Sequence, residues 1–155
     1  MKKRFFCLLM AAVLAFAPAC ARKGGGKAAD VEKLADEIVK TEKFVDQMSA
    51  VEQKTAVKIY GLEADDVAKA KVYESTGATA EEVAAFEAKD EDAAGRIRSA
   101  AAERVEDQKS AFEDYQPKEM TKLKTPLLMR QGKYVLLVVA DDTSAAKQIA
   151  DRYFQ

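Results

Sequence analysis

From Asp30 the apolar residues Val31, Leu34, Ala35 and Ile38 recur at i, i+3, i+4 and i+7, the spacing of one helical face, with Asp30 placed to cap it. The stripe fades near Phe44, and a second, shorter helix is predicted from about Ala50 to Tyr60, closed by Gly61. The period then drops to two. Ala68, Ala70 and Val72 alternate with Lys69 and Lys71, Ser75-Thr76-Gly77-Ala78-Thr79 is turn-like, and Glu82 to Lys89 alternates again with Ala84, Phe86 and Ala88 on one side. That predicts a hairpin. Asp90 caps a long helix to about Tyr115, with Ala94, Ile97, Ala101, Val105, Gln108, Phe112 and Tyr115 in one stripe, and Pro117 ends it. Met120 and Leu123 lead into Leu127-Leu128-Met129, a turn at Gln131-Gly132 and a strand from Tyr134 to Val139. Asp141-Asp142 opens a final helix bearing Ala146, Ile149 and Tyr153.

The halves are alike: Ala88 to Ile97 aligns without gaps on Ala140 to Ile149, which puts Phe86 on Val138 and Ala84 on Leu136. The expectation is an α+β fold of two ββα units, forming a four-stranded antiparallel sheet with both helices across one face, preceded by an N-terminal helix pair. Val83, Ala85, Val135, Leu137 and Val139 then fall on the far face. Leaving large aliphatics in water costs roughly 25 cal/mol per Å², so something covers them. The N-terminal helix pair is the expected cover. Another protein is the rival cover, which makes Val135, Leu137 and Val139, with the loops around Thr76 and Gly132, the candidate partner surface.

Ahead of the domain, Lys2, Lys3 and Arg4 precede an apolar run from Phe5 to Ala17, and Ala17-Pro18-Ala19 leads to Cys20. A basic start, a short apolar core and small exit residues make an export signal. The run is shorter than the ~20 residues that span a bilayer. Two cleavages compete. Ala17-x-Ala19 suits ordinary signal peptidase and would leave a free thiol, whereas a lipoprotein would carry diacylglycerol on Cys20. Ala17 and Pro18 depart from the common lipobox, but an exported protein rarely keeps an unpaired cysteine. Residues 1–19 are therefore expected to be a lipoprotein-type signal peptide, residues 20–29 a flexible, glycine-rich tether, and residues 30–155 a single α+β domain. Lipid on Cys20 would hold the protein at the outside of the bacterial cell membrane; a secreted soluble form is the alternative.

The chain has no histidine and no tryptophan, and its other cysteine, Cys7, lies in the leader. The mature protein thus lacks a disulfide, a Cys/His zinc site and a Ser-His-Asp triad, and no catalytic residue, cofactor or metal is assigned. Removing the leader's three basic residues leaves 22 against 26 acidic ones, a charge near −4. A nucleic-acid partner, which calls for a basic face, is not expected. Roughly 125 residues suffice for one real core.

Gly24-Gly25-Gly26-Lys27 lacks the strand, spacing and following hydroxyl of a phosphate loop. Glu81 and Glu82 are adjacent on a strand, point to opposite faces and read as surface charge rather than paired acids. Asp90, Asp92, Asp141 and Asp142 stand where strands give way to helices, which favours capping over calcium. Gln108 lies inside an apolar stripe, so its amide must find partners in a nearby turn or in a ligand. Ser75 to Thr79 clusters hydroxyls, explained first by turn chemistry and second by ligand recognition.

The block Tyr73 to Asp90, then Arg104-x-x-x-Gln108-x-x-x-Phe112-x-Asp114-Tyr115-x-Pro117-x-Glu119, and Gly132-x-Tyr134-Val135 with Val139 and Asp142, resembles domain of unknown function 4358. That is a family of small bacterial secreted proteins, mostly with lipoprotein leaders. The likeness covers about Ala28 to Gln155. It implies export and lipidation, and supplies no activity or ligand. The expected function is that of a membrane-tethered envelope lipoprotein, non-enzymatic, that binds an envelope protein or scaffolds. The rival is a small-ligand carrier or sensor with a pocket between sheet and helices. An enzyme, which would have to work with carboxylates, lysine, tyrosine or hydroxyls alone, comes third; a concave pocket holding a carboxylate or lysine with a strongly shifted pKa favours enzyme or carrier, and a flat surface with one apolar patch favours partner binding.

Overall fold

The computed structural model describes residues 28–155. The leader, Cys20 and tether residues 20–27 lie outside the described residues. Helix α1 spans Val31–Thr41, and the Asp30 carboxylate accepts the Lys33 N–H at its start. Its four stripe residues are all buried. Ala29 is buried too, so packing extends at least one residue ahead of the Asp30 cap. The remaining elements are β1 (Ser49–Val51), α2 (Gln53–Ile59), β2 (Val67–Glu74), β3 (Glu82–Ala88), α3 (Glu91–Tyr115), α4 (Met120–Lys124), β4 (Leu127–Gln131), β5 (Tyr134–Val139) and α5 (Ser144–Tyr153).

The sheet has five antiparallel strands in the order β1-β2-β3-β5-β4, not the four expected. The addition is β1. Ala50 and Val51, predicted to begin a helix, instead pair with Tyr73 and Val72, and α2 starts only at Gln53. The outer edge of β2 carries backbone donors and acceptors that the three-residue strand satisfies. Within β2, Val67 pairs with Ala88 but Lys69 with Glu87, so Ala68 is the extra residue of a bulge and is exposed, not turned to the core as its alternation suggested.

Register decides the faces. Phe86 lies opposite Val135 and Ala84 opposite Leu137, and directly paired residues share a face. Val135, Leu137 and Val139 therefore join Ala84 and Phe86 beneath Ile97, Ala101 and Val105 of α3, with Ala56 of α2 and Leu123 of α4. Val83, Ala85, Leu136 and Val138 form the opposite face, under Leu34 and Ile38 of α1 and Ala146 and Ile149 of α5. The helices α3 and α5 thus cover opposite faces, not one. Phe86 and Val138, matched along the chain, do each turn toward the helix that follows their own strand, but the antiparallel register sets those two sides on opposite faces of the sheet. The cover over Val135, Leu137 and Val139 is chiefly α3 rather than the N-terminal pair, and all three are fully buried within the single chain. They offer no free surface to a partner.

The Tyr60 ring meets Phe86 edge-on, with centroids 5.0 Å apart, and Phe86 is the largest fully buried side chain. Phe86→Ala removes this contact and opens a cavity in the middle layer, so the expected loss of stability is about 3–5 kcal/mol, read as a lowered midpoint in denaturant unfolding.

Candidate functional site

The Ser75–Thr79 turn joins β2 to β3, and its end of the sheet carries most of the buried charge. Glu74 and Glu82 are directly opposed across the two strands, an arrangement that repels unless a cation bridges it. Arg104 supplies that cation. Its Nη2 donates to Glu74 at 2.9 Å and to Glu82 at 3.0 Å, and its Nε to Glu82 at 3.2 Å. One helical turn on, Gln108 Nε2 donates to the same Glu82 oxygen at 2.8 Å; an i, i+4 spacing puts both side chains over one spot. From the C-terminal end of α2, the Tyr60 hydroxyl donates to the other Glu82 oxygen. Burial, and then the Glu82 charge, push the Tyr60 phenol well above its ordinary pKa, which keeps it a donor. Burial also raises Glu74, and the Glu82 charge adds to it, with Arg104 only partly offsetting them.

Gln108 is 7% exposed, and its amide oxygen has no hydrogen-bond partner. The orientation of the amide is fixed by chemistry: turned over, it would point oxygen at the Glu82 carboxylate. Gln108 also lines a cleft of about 500 Å³ between the Ser75–Thr79 turn and the C-terminal half of α3, with Glu74, Arg104, Asp107 and Phe112. That amide oxygen, closed to water, is the one unsatisfied buried side-chain atom among the described residues.

A second buried cluster anchors the turn from behind. The Glu81 carboxylate accepts the N–H groups of Val45 at 2.9 Å and Asp46 at 3.0 Å, the Thr79 hydroxyl at 3.1 Å and Lys122 Nζ at 3.0 Å. Lys122 also pairs with Glu119 at 3.1 Å, and Glu119 in turn accepts the Ala80 N–H. Asp46 accepts both the N–H and the hydroxyl of Thr76. Burial pushes Glu81 up, but the Val45 and Asp46 amides and the Lys122 ammonium outweigh it and hold the carboxyl below its usual range. Within the turn, Gly77 takes φ +93°, a conformation side chains disfavour.

Glu81 and Glu82 are therefore not surface charge. They do enter separate networks, but both are buried because helices and loops close over their end of the sheet. Asp90 caps α3 through the Ala93 N–H, and Asp142 accepts from the Ser144 N–H. Among the described residues no group of three or more carboxylates, thiols or imidazoles is set to hold a metal. Thr76 sits on the cleft, whereas Gly132 lies at the far end of the sheet: β3 runs from Glu82 beside Val139 to Glu87 beside Tyr134. The two loops proposed as one partner surface are separated by the length of the strands. Sequence reasoning singled out Gln108 and the hydroxyl turn, and missed Tyr60, Glu74, Glu82, Arg104 and Lys122 as parts of one end. The spacing of Arg104, Gln108 and Phe112 was the available signal.

The fold and cleft define a small α+β domain, three layers deep, with a polar recess at one end of its sheet. The chain belongs to the family described as domain of unknown function DUF4358, whose model matches residues 28–140. No curated protein and no solved structure matches the chain.

Replacing Lys122 by Met leaves the Glu81 and Glu119 carboxylates buried without their cation, with an expected cost of about 3–5 kcal/mol. Acid acts on the same cluster. The folded Glu81 carboxyl is depressed relative to the unfolded one, so its contribution is complete above about pH 4.3 and is lost as pH falls through the lower folded value. Urea unfolding followed from pH 6 to pH 3 should show a falling midpoint below about pH 4.3, and a shallower fall in Glu81→Gln.

Proposed function

We propose that this protein is an envelope lipoprotein, held at the membrane by lipid on Cys20, whose domain binds a small ligand in the Ser75–Thr79 cleft and performs no chemistry on it. The observation that carries the binding reading is the polar cleft itself, about 500 Å³ and lined by Glu74, Arg104, Asp107 and Gln108 beside the hydroxyls of the turn. The non-enzymatic reading is supported by the state of Glu82, the natural candidate for a base. It already accepts from Tyr60, Arg104 and Gln108, which leaves it poorly placed to take a proton from a substrate. The small-ligand reading is favoured over scaffolding because Val135, Leu137 and Val139 are used inside the chain. The large hydrophobic side chains that stand exposed among the described residues are Val45 and Tyr115, too few for an apolar docking patch.

Export and lipidation rest on the leader pattern and on Cys20 as the one cysteine beyond it. No helix among the described residues is long and apolar enough to cross a membrane, so attachment falls to the acyl chains, each buried methylene contributing about 0.8 kcal/mol.

Cells fed labelled palmitate should mark the wild-type protein, and Cys20→Ser should lose the label and leave the membrane fraction. Persistence of Cys20→Ser at the membrane in wild-type amount would remove the lipid from the reading. Binding is tested separately, by a small-molecule library scored on the NMR signals of the Gln108 side-chain amide. A library that shifts those signals nowhere would remove the ligand.

A further inference from the structure

Resting on the binding reading above, we propose that the Ser75–Thr79 cleft takes a neutral sugar, whose ring hydroxyls accept from Arg104 Nη1 and donate to the carboxylates of Glu74 and Asp107 while the apolar side of the ring lies against Phe112.

Arg104 holds the two opposed glutamates through Nε and Nη2 alone. Its Nη1 donates to no described residue and, unlike Gln108 Oε1, is not closed to water. A guanidinium is a planar, rigid fork, so fixing Nε and Nη2 also fixes the direction of the two N–H groups on Nη1. The cleft therefore presents a donor that is oriented before any ligand arrives. Open acceptors stand beside it. Glu74 receives a single bond, at Oε1, and its other oxygen is free and not closed to water. Asp107 is exposed on α3, one residue before Gln108, with neither a hydrogen bond nor an ion pair to any described side chain. The turn adds acceptors only, because its hydroxyl hydrogens are committed: Ser75 Oγ donates to the Thr79 carbonyl at 2.6 Å and Thr79 Oγ1 to Glu81 at 3.1 Å.

This mixture selects the ligand's chemistry. An ammonium has no acceptor to give Nη1. An anion would meet Asp107 and compete with Glu74 and Glu82 for the one guanidinium that keeps those glutamates together. A hydroxyl does both tasks without charge, accepting on its oxygen and donating its hydrogen. Neighbouring hydroxyls on one ring can therefore answer the donor and the acceptors next to it together. A ring also brings its hydroxyls already arranged, whereas an open-chain polyol would lose conformational freedom on binding. Phe112 and Ala111 line the same cleft and give the C–H side of such a ring an apolar wall. The cleft, at about 500 Å³, falls within the usual size of small-molecule sites.

The test uses the full-length lipidated protein in micelles of a detergent without a sugar headgroup, read on the NMR signals of Arg104 Nε–H and the Gln108 side-chain amide. The probes are the methyl glycosides of glucose, galactose, mannose and N-acetylglucosamine. Three controls are methyl glucuronide, the same ring with a carboxylate; 1,4-diaminobutane, a cation; and erythritol, an open-chain polyol. The expected result is saturable movement of both signals with at least one neutral glycoside, little changed by added salt, and each control weaker by about tenfold or more. Asp107→Ala, an exposed helix position that alanine suits, should weaken that glycoside by about fivefold or more. Arg104→Lys keeps the charge but removes the fork, and should weaken it by about tenfold or more in protein whose spectrum shows it folded. Wild-type affinity in Asp107→Ala, or in folded Arg104→Lys, overturns the sugar assignment. So does a control that binds as tightly as the best glycoside. A panel of glycosides that fails while another compound moves the signals overturns it too, and leaves the binding reading standing. Failure of every compound overturns both.

Discussion

Every residue of β5 from Val135 to Val139 is apolar and buried, and Val83 to Phe86 of β3 are fully buried beside them. Neither face of these two central strands can meet water, and that constraint organises the molecule. One face draws α3, α2 and α4 onto it and the other draws α1 and α5. Alternating side chains on a strand buried on both sides read as a continuous apolar run rather than as hydrophobic-in, polar-out. The flanking strands are spared this. On the α1 side, β2 turns Lys69 and Lys71 toward the acids Glu32 and Asp36, and the Tyr73 hydroxyl donates to Asp36 at 2.6 Å.

Where the doubly buried strand begins, the chain places two adjacent glutamates, and the price of their burial is spread over the rest of the fold. Glu81 gathers the segment before β1, the hairpin turn and α4; Glu82 gathers α2 and α3. Buried ion pairs contribute less to net stability than to choosing one arrangement, because desolvation consumes much of their attraction. Here they set the Ser75–Thr79 turn against α3 and so give the cleft its shape. The same end of the sheet is therefore the most polar part of the interior and the part with an unsatisfied acceptor.

Much of this was legible in the sequence. Asp30 and Asp90 start their helices as read, and α3 ends at Tyr115 before Pro117. Phe86 packs on the stripe of Ile97 and Val105. Local signals, caps and periods, carried those expectations. What failed was non-local. The faces of β5 depend on its register against β3, which alternation within one strand cannot reveal when every position is apolar. The edge strand β1 is three residues long and has no periodic signature. Glu81 and Glu82 looked exposed because charge suggests solvent, and only the tertiary positions of Lys122, Arg104 and Tyr60 make their burial tolerable. Gln108 was visible as an anomaly because it broke an apolar stripe, the kind of conflict between levels that marks a working or strained position.

The chain enters the domain beside the Gln131–Tyr134 turn, since Ala28 lines the same recess as Gly132 and Tyr134. The Ser75–Thr79 turn closes the other end of the sheet. Seven residues of β3 separate these ends, about 20 Å at the rise of a strand. From Cys20 the intervening segment, residues 20–27, reaches at most about 28 Å. On the proposed anchoring the leash leaves from the end of the sheet opposite the Ser75–Thr79 cleft, so the attachment itself does not obstruct that cleft.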